Sequence, residues 1–276
     1  MRTMHIYYIN RNRDWERNQA FLAAATLATN TNFIQRVKAI EPPDILQKNI
    51  KGTASDTEKA LYLSHIKILK KSIDKRAPFL IFEDDTKIEK DNLRLLKGLP
   101  AQLNEQKISW DIIYGDVLIT TPNGYIEFKK TMTANEKART ITLKPLHKEI
   151  FAGTSSMLIN NKSTEKIVSL LEDEFVNKPI DIKLRSLIHQ GRLKAYVPVP
   201  FLTTTHRYAD ESTIQTDRDN FTIKLWNICR ESLYKDIDRD YMFQRISEFT
   251  ASYMNTELEQ TGKLLAAYAS TNFVPK

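Results

Sequence analysis

Cysteine is almost missing from this chain: Cys229 is the only one in 276 residues. A lone thiol cannot close an intramolecular disulfide, so the fold does not lean on the oxidising compartments where small cross-linked domains persist. No window approaches the roughly 20 consecutive apolar residues that cross a bilayer. The amino terminus lacks the basic-then-apolar layout of a secretory signal. No internal repeat, glycine-serine linker or low-complexity tract interrupts the pattern. The expected compartment is therefore the cytoplasm, and any membrane contact is expected to be peripheral.

What is present suffices for a core. At 41% hydrophobic residues the chain can bury one large α/β domain, alone or with a helical appendage. Its net charge of +7 favours anionic partners: nucleotides, phosphorylated glycolipids, an acidic lipid surface or nucleic acid. Nucleic acid fits poorly, because the basic residues are spread along the chain and no stacking-aromatic motif accompanies them.

Periodicity gives a coarse order of elements. "MHIYYIN" reads as a strand that breaks into a loop, followed by a helix in which Leu22, Ala25 and Ala28 keep helical spacing. "NFIQRVKAIEPPD" reads as a second strand closed by Pro42 and Pro43. Ser55 and Glu58 form an S-x-x-E capping box ahead of "KALYLSHIKILKKSI", whose basic residues gather toward the C-terminal end. Pro78 precedes the strand "FLIFEDD", and "WDIIYGDVLIT" is a further strand candidate. A polar, less regular stretch then runs from Thr120 to about Leu146. "FAGTSSMLINN" reads as a strand entering the helix "KSTEKIVSLLEDEF", a helix after Pro179 ends at Gly191, and "LKAYVPVPFLTTTH" is extended. From about Arg218 the pattern is helical. Strands alternating with helices predict an α/β fold with a mostly parallel, doubly wound sheet.

The chemistry concentrates where "FLIF" ends in Glu83, Asp84 and Asp85. Ligands of open α/β sheets bind beyond the carboxyl ends of the strands. Carboxylates one residue apart, Glu83 and Asp85, can point the same way there and offer hard oxygen ligands to Mn²⁺ or Mg²⁺. Such an ion would neutralise a diphosphate leaving group. The alternative is that the triplet caps the next turn or faces solvent.

Read in order, "YINRNRDWER", "RVKAIEP", "LYLSHIKIL", "LIFEDD", "WDIIYGD", "GTSSMLINNKSTEKI", "PID" and "YVPVPFL" resemble the bacterial glycosyltransferases of family 25 over about residues 4 to 214. This is a lipooligosaccharide biosynthesis group that is itself similar to collagen galactosyltransferases. The resemblance implies a GT-A type nucleotide-sugar-binding domain over 1–215, with 216–276 as a C-terminal helical extension. It also implies inverting, metal-dependent transfer of a hexose, galactose or glucose, from a UDP-sugar to a hydroxyl of a glycolipid or oligosaccharide acceptor. Two rivals are a sugar-nucleotide nucleotidyltransferase, whose glycine-rich, lysine-containing loop after the first strand has no counterpart here, and a degenerate, non-catalytic glycan-binding protein.

Carried over residue by residue, Asn10, Arg13 and Arg17 match the family's opening loop beside the nucleotide, where an arginine fork can pair with diphosphate oxygens. Arg11 and Asn12 depart from its usual leucine-aspartate pair. Ala39 and Ile40 match the uracil or ribose segment; Glu83 and Asp84 stand with the nucleotide-sugar contacts, and Gly153 and Thr154 match a strand entry where backbone can approach a sugar. Ser64 and His65 match a pair that supports the acidic strand from the preceding helix; a plain core histidine is the alternative. The expected metal ligands are Glu83, Asp85 and His206. Inverting transfer needs one general base. Asp181 matches P-x-D at a helix start, where an N-cap role competes, and Asp116 is the second candidate. The apolar residues of the tail, Leu225, Ile228, Leu233, Ile237, Phe243 and Ile246, keep helical intervals. They imply helices packed on the domain or on a second copy in a homodimer, with a peripheral contact at the inner face of the inner membrane as the sharper reading.

Overall fold

The computed structural model describes residues 4–29, 33–206 and 220–252. The end of the tail and the segment 207–219, in which the expected domain boundary falls, lie outside them.

The elements run β1 (Ile6–Asn10), α1 (Trp15–Ala28), β2 (Ile34–Lys38), α2 (Pro42–Gln47), α3 (Asp56–Lys71), β3 (Phe79–Glu83), β4 (Thr86–Lys87), α4 (Lys90–Glu105), β5 (Ile112–Tyr114) and β6 (Leu118–Ile119). They continue with α5 (Pro122–Ala138), β7 (Thr142–Pro145), β8 (Phe151–Ala152), β9 (Ser156–Ile159), α6 (Thr164–Leu171), α7 (Ile180–His189), β10 (Ala195–Val199), β11 (Thr204–Thr205), α8 (Asn220–Glu231) and α9 (Arg239–Ser252).

Seven strands form the central sheet in the order β2-β1-β3-β9-β5-β10-β7. β1 pairs in parallel with β2 and β3, and β10 with β5, whereas β9 is antiparallel to both β3 and β5, and β7 to β10. Five strands therefore run one way and two run back. The reversal of β9 has a consequence for the site: its first residue, Ser156, lies at the same edge as the last residues of β3 and β5.

β1 and β3 are apolar on both faces because both faces are covered, which is why they read as unbroken hydrophobic runs. Alternation sorts their side chains into two cores. Ile6, Tyr8, Leu80 and Phe82 pack with Phe21 of α1 and Leu93, Leu96 and Leu99 of α4. Tyr7, Ile9, Phe79 and Ile81 share the opposite core with residues of α3, α6 and α7. Leu225, Ile228, Leu233, Met242 and Phe249 belong to this second core, so the packing of α8 and α9 is continuous with the domain.

Local signals explain the helix that carries much of the site. In α3 the Ser55 hydroxyl accepts from the Glu58 amide at 3.3 Å and the Glu58 carboxylate accepts from the Ser55 amide at 2.9 Å, closing a capping box. Lys70 and Lys71 occupy its last turn, where the helix dipole favours cations. Two expectations need correction. The stretch from Thr120 to Leu146 is regular: Thr121 caps α5 with Pro122 at its first position, and β7 follows. "WDIIYGDVLIT" is not one strand, because the chain leaves the sheet at Gly115 and Asp116 and resumes as β6, paired with β8 in a separate ladder.

Candidate active site

The carboxyl ends of β1, β3 and β5 and the start of β9 share one edge of the sheet, and a cleft of ≈ 200 Å³ opens there. Glu83 and Asp85 both line it. Asp84, between them, faces the other way: it accepts from Asn10 Nδ2 at 2.7 Å and lies 3.4 Å from Arg17 Nε. Strand β3 ends at Glu83, and the turn formed by Asp84 and Asp85 before β4 returns Asp85 to the side of the cleft. Helix α3 contributes Glu58 and Leu61, the start of α7 contributes Pro179 to Ile182, and α8 contributes Trp226, Asn227 and Arg230.

Three successive residues between β8 and β9 tie the acids of this cleft together. The amide of Gly153 donates to Asp181 Oδ2 at 3.0 Å. The hydroxyl of Thr154 donates to Glu83 Oε1 at 2.7 Å. The hydroxyl of Ser155 donates to Asp116 Oδ1 at 2.7 Å, and its carbonyl accepts from the Glu83 amide at 2.8 Å. Gly153 adopts φ +96, a left-handed conformation that side chains other than glycine's rarely allow. That turn aims its amide at Asp181.

Asp181 is the second residue of α7, with Pro179 as the cap, so the N-cap alternative does not hold. Its Oδ1 accepts from the Ile182 amide at 2.8 Å. With one backbone donor on each oxygen the carboxylate is fixed in orientation while keeping lone pairs for a further donor. Asp116 differs. It is fully buried, Arg230 Nε donates to its Oδ2 at 2.8 Å, and Ser155 holds its other oxygen. Arg230 also donates to Ser155 Oγ and, at 3.5 Å, to Thr205 Oγ1.

Glu83 and Asp85 are pushed in opposite directions. Burial raises the Glu83 carboxyl, but the imidazole of His65, the Thr154 hydroxyl and the charge of Arg230 outweigh it and hold the group below its ordinary value. His65 is fully buried in the middle of α3, and its Nε2 lies 3.4 Å from Glu83 Oε1. Neither of its ring nitrogens has a well-aligned hydrogen-bond partner among the described residues, so the imidazole acts on Glu83 by its closeness. For Asp85, burial and the neighbouring charge of Glu83 raise the carboxyl to about 7, with Arg17, 3.4 Å away, only partly offsetting them. Its buried Oδ1 has no hydrogen-bond partner among the described residues. An orphaned carboxylate oxygen beside a second carboxylate in the same cleft is a site short of positive charge, and two hard oxygen donors suit a divalent ion.

The opening loop is built around Asn10, which is buried. Its amide nitrogen donates to Asp84 and to the Asp14 carbonyl at 3.0 Å, and its Oδ1 accepts from Arg36 Nε at 2.8 Å. The Ala39 amide donates to the Asn10 carbonyl at 3.0 Å. Ser64 accepts from the Ile40 amide at 2.8 Å, so it braces the Ala39–Ile40 segment, whereas its neighbour His65 faces the acid. Arg13 is largely exposed, 4.0 Å from Glu41.

The expected ligand trio is not assembled. His206 meets Asp85 through its backbone amide, 2.8 Å from the Asp85 carbonyl, and no group of three metal-capable side chains converges among the described residues. The reason is local: β11 carries the chain alongside β4, so backbone pairing with the β3–β4 turn sets the position of His206. Sequence reasoning missed Arg230, Trp226 and Asn227. Their helical spacing in "LWNICR" was legible, but nothing in it shows that Arg230 meets an acid 114 positions earlier.

Against protein-family models, residues 4–183 match Glycosyltransferase family 25 (LPS biosynthesis protein). Comparison with the curated proteins finds no match.

Proposed function

Because this chain belongs to glycosyltransferase family 25, a family of lipopolysaccharide biosynthesis, we propose that its cleft moves a hexose, galactose or glucose, from a UDP-sugar to a hydroxyl of a lipooligosaccharide with inversion at the anomeric carbon. One observation carries this reading: Glu83, Asp85 and Asp181 line one cleft at the carboxyl edge of the sheet. The reading gives the domain a GT-A type role, with the nucleotide lying along the Asn10 loop, Arg13, Arg17 and the Ala39–Ile40 segment.

Asp181 acts as the base. Its carboxylate, steadied by the Gly153 and Ile182 amides, takes the proton of the acceptor hydroxyl as that oxygen bonds to the anomeric carbon. The bond from that carbon to the diphosphate breaks on the opposite face, and its electron pair leaves with UDP. Arg17 and Arg230 supply positive charge toward the departing diphosphate. Glu83 and Asp85 would hold Mn²⁺ or Mg²⁺, whose chemistry here is neutralisation of that leaving group. Asp116, fully engaged by Arg230 and Ser155, holds the β5 end in place.

No helix among the described residues is long and apolar enough to cross a membrane. We place the enzyme in the cytoplasm, meeting its lipid-linked acceptor at the inner face of the inner membrane. The test is a panel of UDP-sugars assayed for UDP release. Wild type should turn over one or two of them, Asp181→Asn should lose about 10²-fold or more while still binding UDP, and Asp85→Ala should be inactive. An Asp85→Ala variant as fast as wild type would refute the assignment.

A further inference from the structure

Helix α8 lies beyond the residues that match the family, which end at 183, yet it forms part of the cleft wall. Trp226 is the only aromatic among the described residues lining that cleft. It is half-buried, so part of its indole stays open. The cleft it shares is lined by both kinds of side chain: Leu118, Ile180 and Ile223 are apolar, and Thr154, Asp181 and Asn227 are polar. Two nearby side chains of the same helix are committed elsewhere, since Arg230 is locked to Asp116 and Ile223 is buried in the protein. Trp226 has no hydrogen bond or ring contact to another described residue. A half-exposed indole with no hydrogen bond or ring contact among the described residues offers its open face to an occupant of the cleft.

The occupant that matches is a pyranose. One face of a sugar ring presents C–H groups and its edge presents hydroxyls, so it is apolar in the middle and polar around the rim. A flat indole covers the middle, and hydrogen-bonding side chains receive the rim. The diphosphate of a donor is drawn to Arg17 and to the cation that Glu83 and Asp85 would hold, leaving the Trp226 face of α8 for a sugar ring. We infer that Trp226 is the stacking platform for the acceptor sugar and the specificity-determining residue of the transfer. The inference rests on the transfer reading above. It assigns to α8 the choice of acceptor, while donor chemistry stays with the matched part of the chain.

The experiment separates the two. Methyl β-galactopyranoside and methyl β-glucopyranoside are titrated into the full chain in the presence of UDP and Mn²⁺, and binding is read by saturation-transfer NMR, with UDP affinity measured by calorimetry on the same samples. Wild type and Trp226→Phe should bind at least one glycoside through its ring C–H protons. Trp226→Ala should bind it about 10-fold more weakly, the size of one lost aromatic-face contact, with UDP affinity unchanged. Trp226→Leu, which keeps apolar bulk without a flat ring, should behave like Trp226→Ala and serves where the alanine variant does not fold. Equal glycoside binding by wild type and Trp226→Leu, or no glycoside binding by wild type, overturns the inference while UDP binding leaves the transfer reading standing. Loss of UDP binding in wild type overturns the transfer reading itself.

Discussion

Removing the Arg230 guanidinium is the sharpest perturbation the fold offers. Its side chain is 5% exposed and that of its partner Asp116 is fully buried, with Nε 2.8 Å from Oδ2. Arg230→Met keeps much of the volume but leaves the Asp116 carboxylate buried without its counter-ion, and Ser155 and Thr205 lose a donor as well. Breaking one side of a buried pair costs about 3–5 kcal/mol. For a chain of this size each kcal/mol lowers the melting temperature by about 2–4 °C, so the loss should be about 6–20 °C. The measurement is thermal unfolding followed by circular dichroism, with a double variant as control. Asp116→Leu combined with Arg230→Met removes both charges and should recover most of the loss, since apolar replacement of a whole buried pair is often close to neutral. A single variant melting within about 2 °C of wild type, or a double variant showing the sum of both single losses, would refute the claim that this pair anchors α8 to the sheet.

Other outcomes follow from the same geometry. Asp85 has a folded carboxyl near 7 against an ordinary 3.8, so the folded chain holds the proton more tightly than the unfolded one. Stability from this group is complete below pH ~3.8 and is lost as pH rises through about 7. In metal-free protein, Asp85→Asn should therefore match wild type at low pH and exceed it increasingly above pH 4 in urea titrations; a gap independent of pH would contradict this. Gly115→Ala should cost about 1–3 kcal/mol by overpacking, because an added Cβ would meet Ser156 Oγ and Thr203 Oγ1 at 2.4 Å each; chemical denaturation checks it, and an unchanged midpoint would mean the β5 end can yield. Replacing Ser55 with Ala should remove the α3 cap at a cost of about 1 kcal/mol, read the same way.

How much of this could be read in advance depends on whether the signal was local. The capping box at Ser55, the run "FLIFE" and the divergence of Glu83 and Asp85 from Asp84 were all legible, because each follows from neighbours in the chain. Helix α5 was hidden by its polarity: its buried positions Tyr125, Phe128 and Met132 keep helical spacing, but buried Lys129 and Asn135 blur the stripe. Lys129 is tolerated there because its ammonium donates to the Ser232 carbonyl at 2.8 Å. The reversal of β9 has no sequence signature, since "SMLI" is buried on both faces whichever way it runs. Long-range pairings were the least visible. Ser64 was expected to support the acids, and it braces Ile40 instead; Arg230 was assigned to an appendage, and it closes the ion network under the cleft.

The central claim is that Glu83 and Asp85 form a cation-dependent diphosphate site. Calorimetric titration of UDP into the metal-free protein, with and without Mn²⁺, tests it most directly. The account predicts that wild-type UDP affinity rises at least about tenfold on adding Mn²⁺ and that Glu83→Gln and Asp85→Asn abolish the gain. UDP affinity indifferent to the ion, or a gain that survives in both variants, would contradict it.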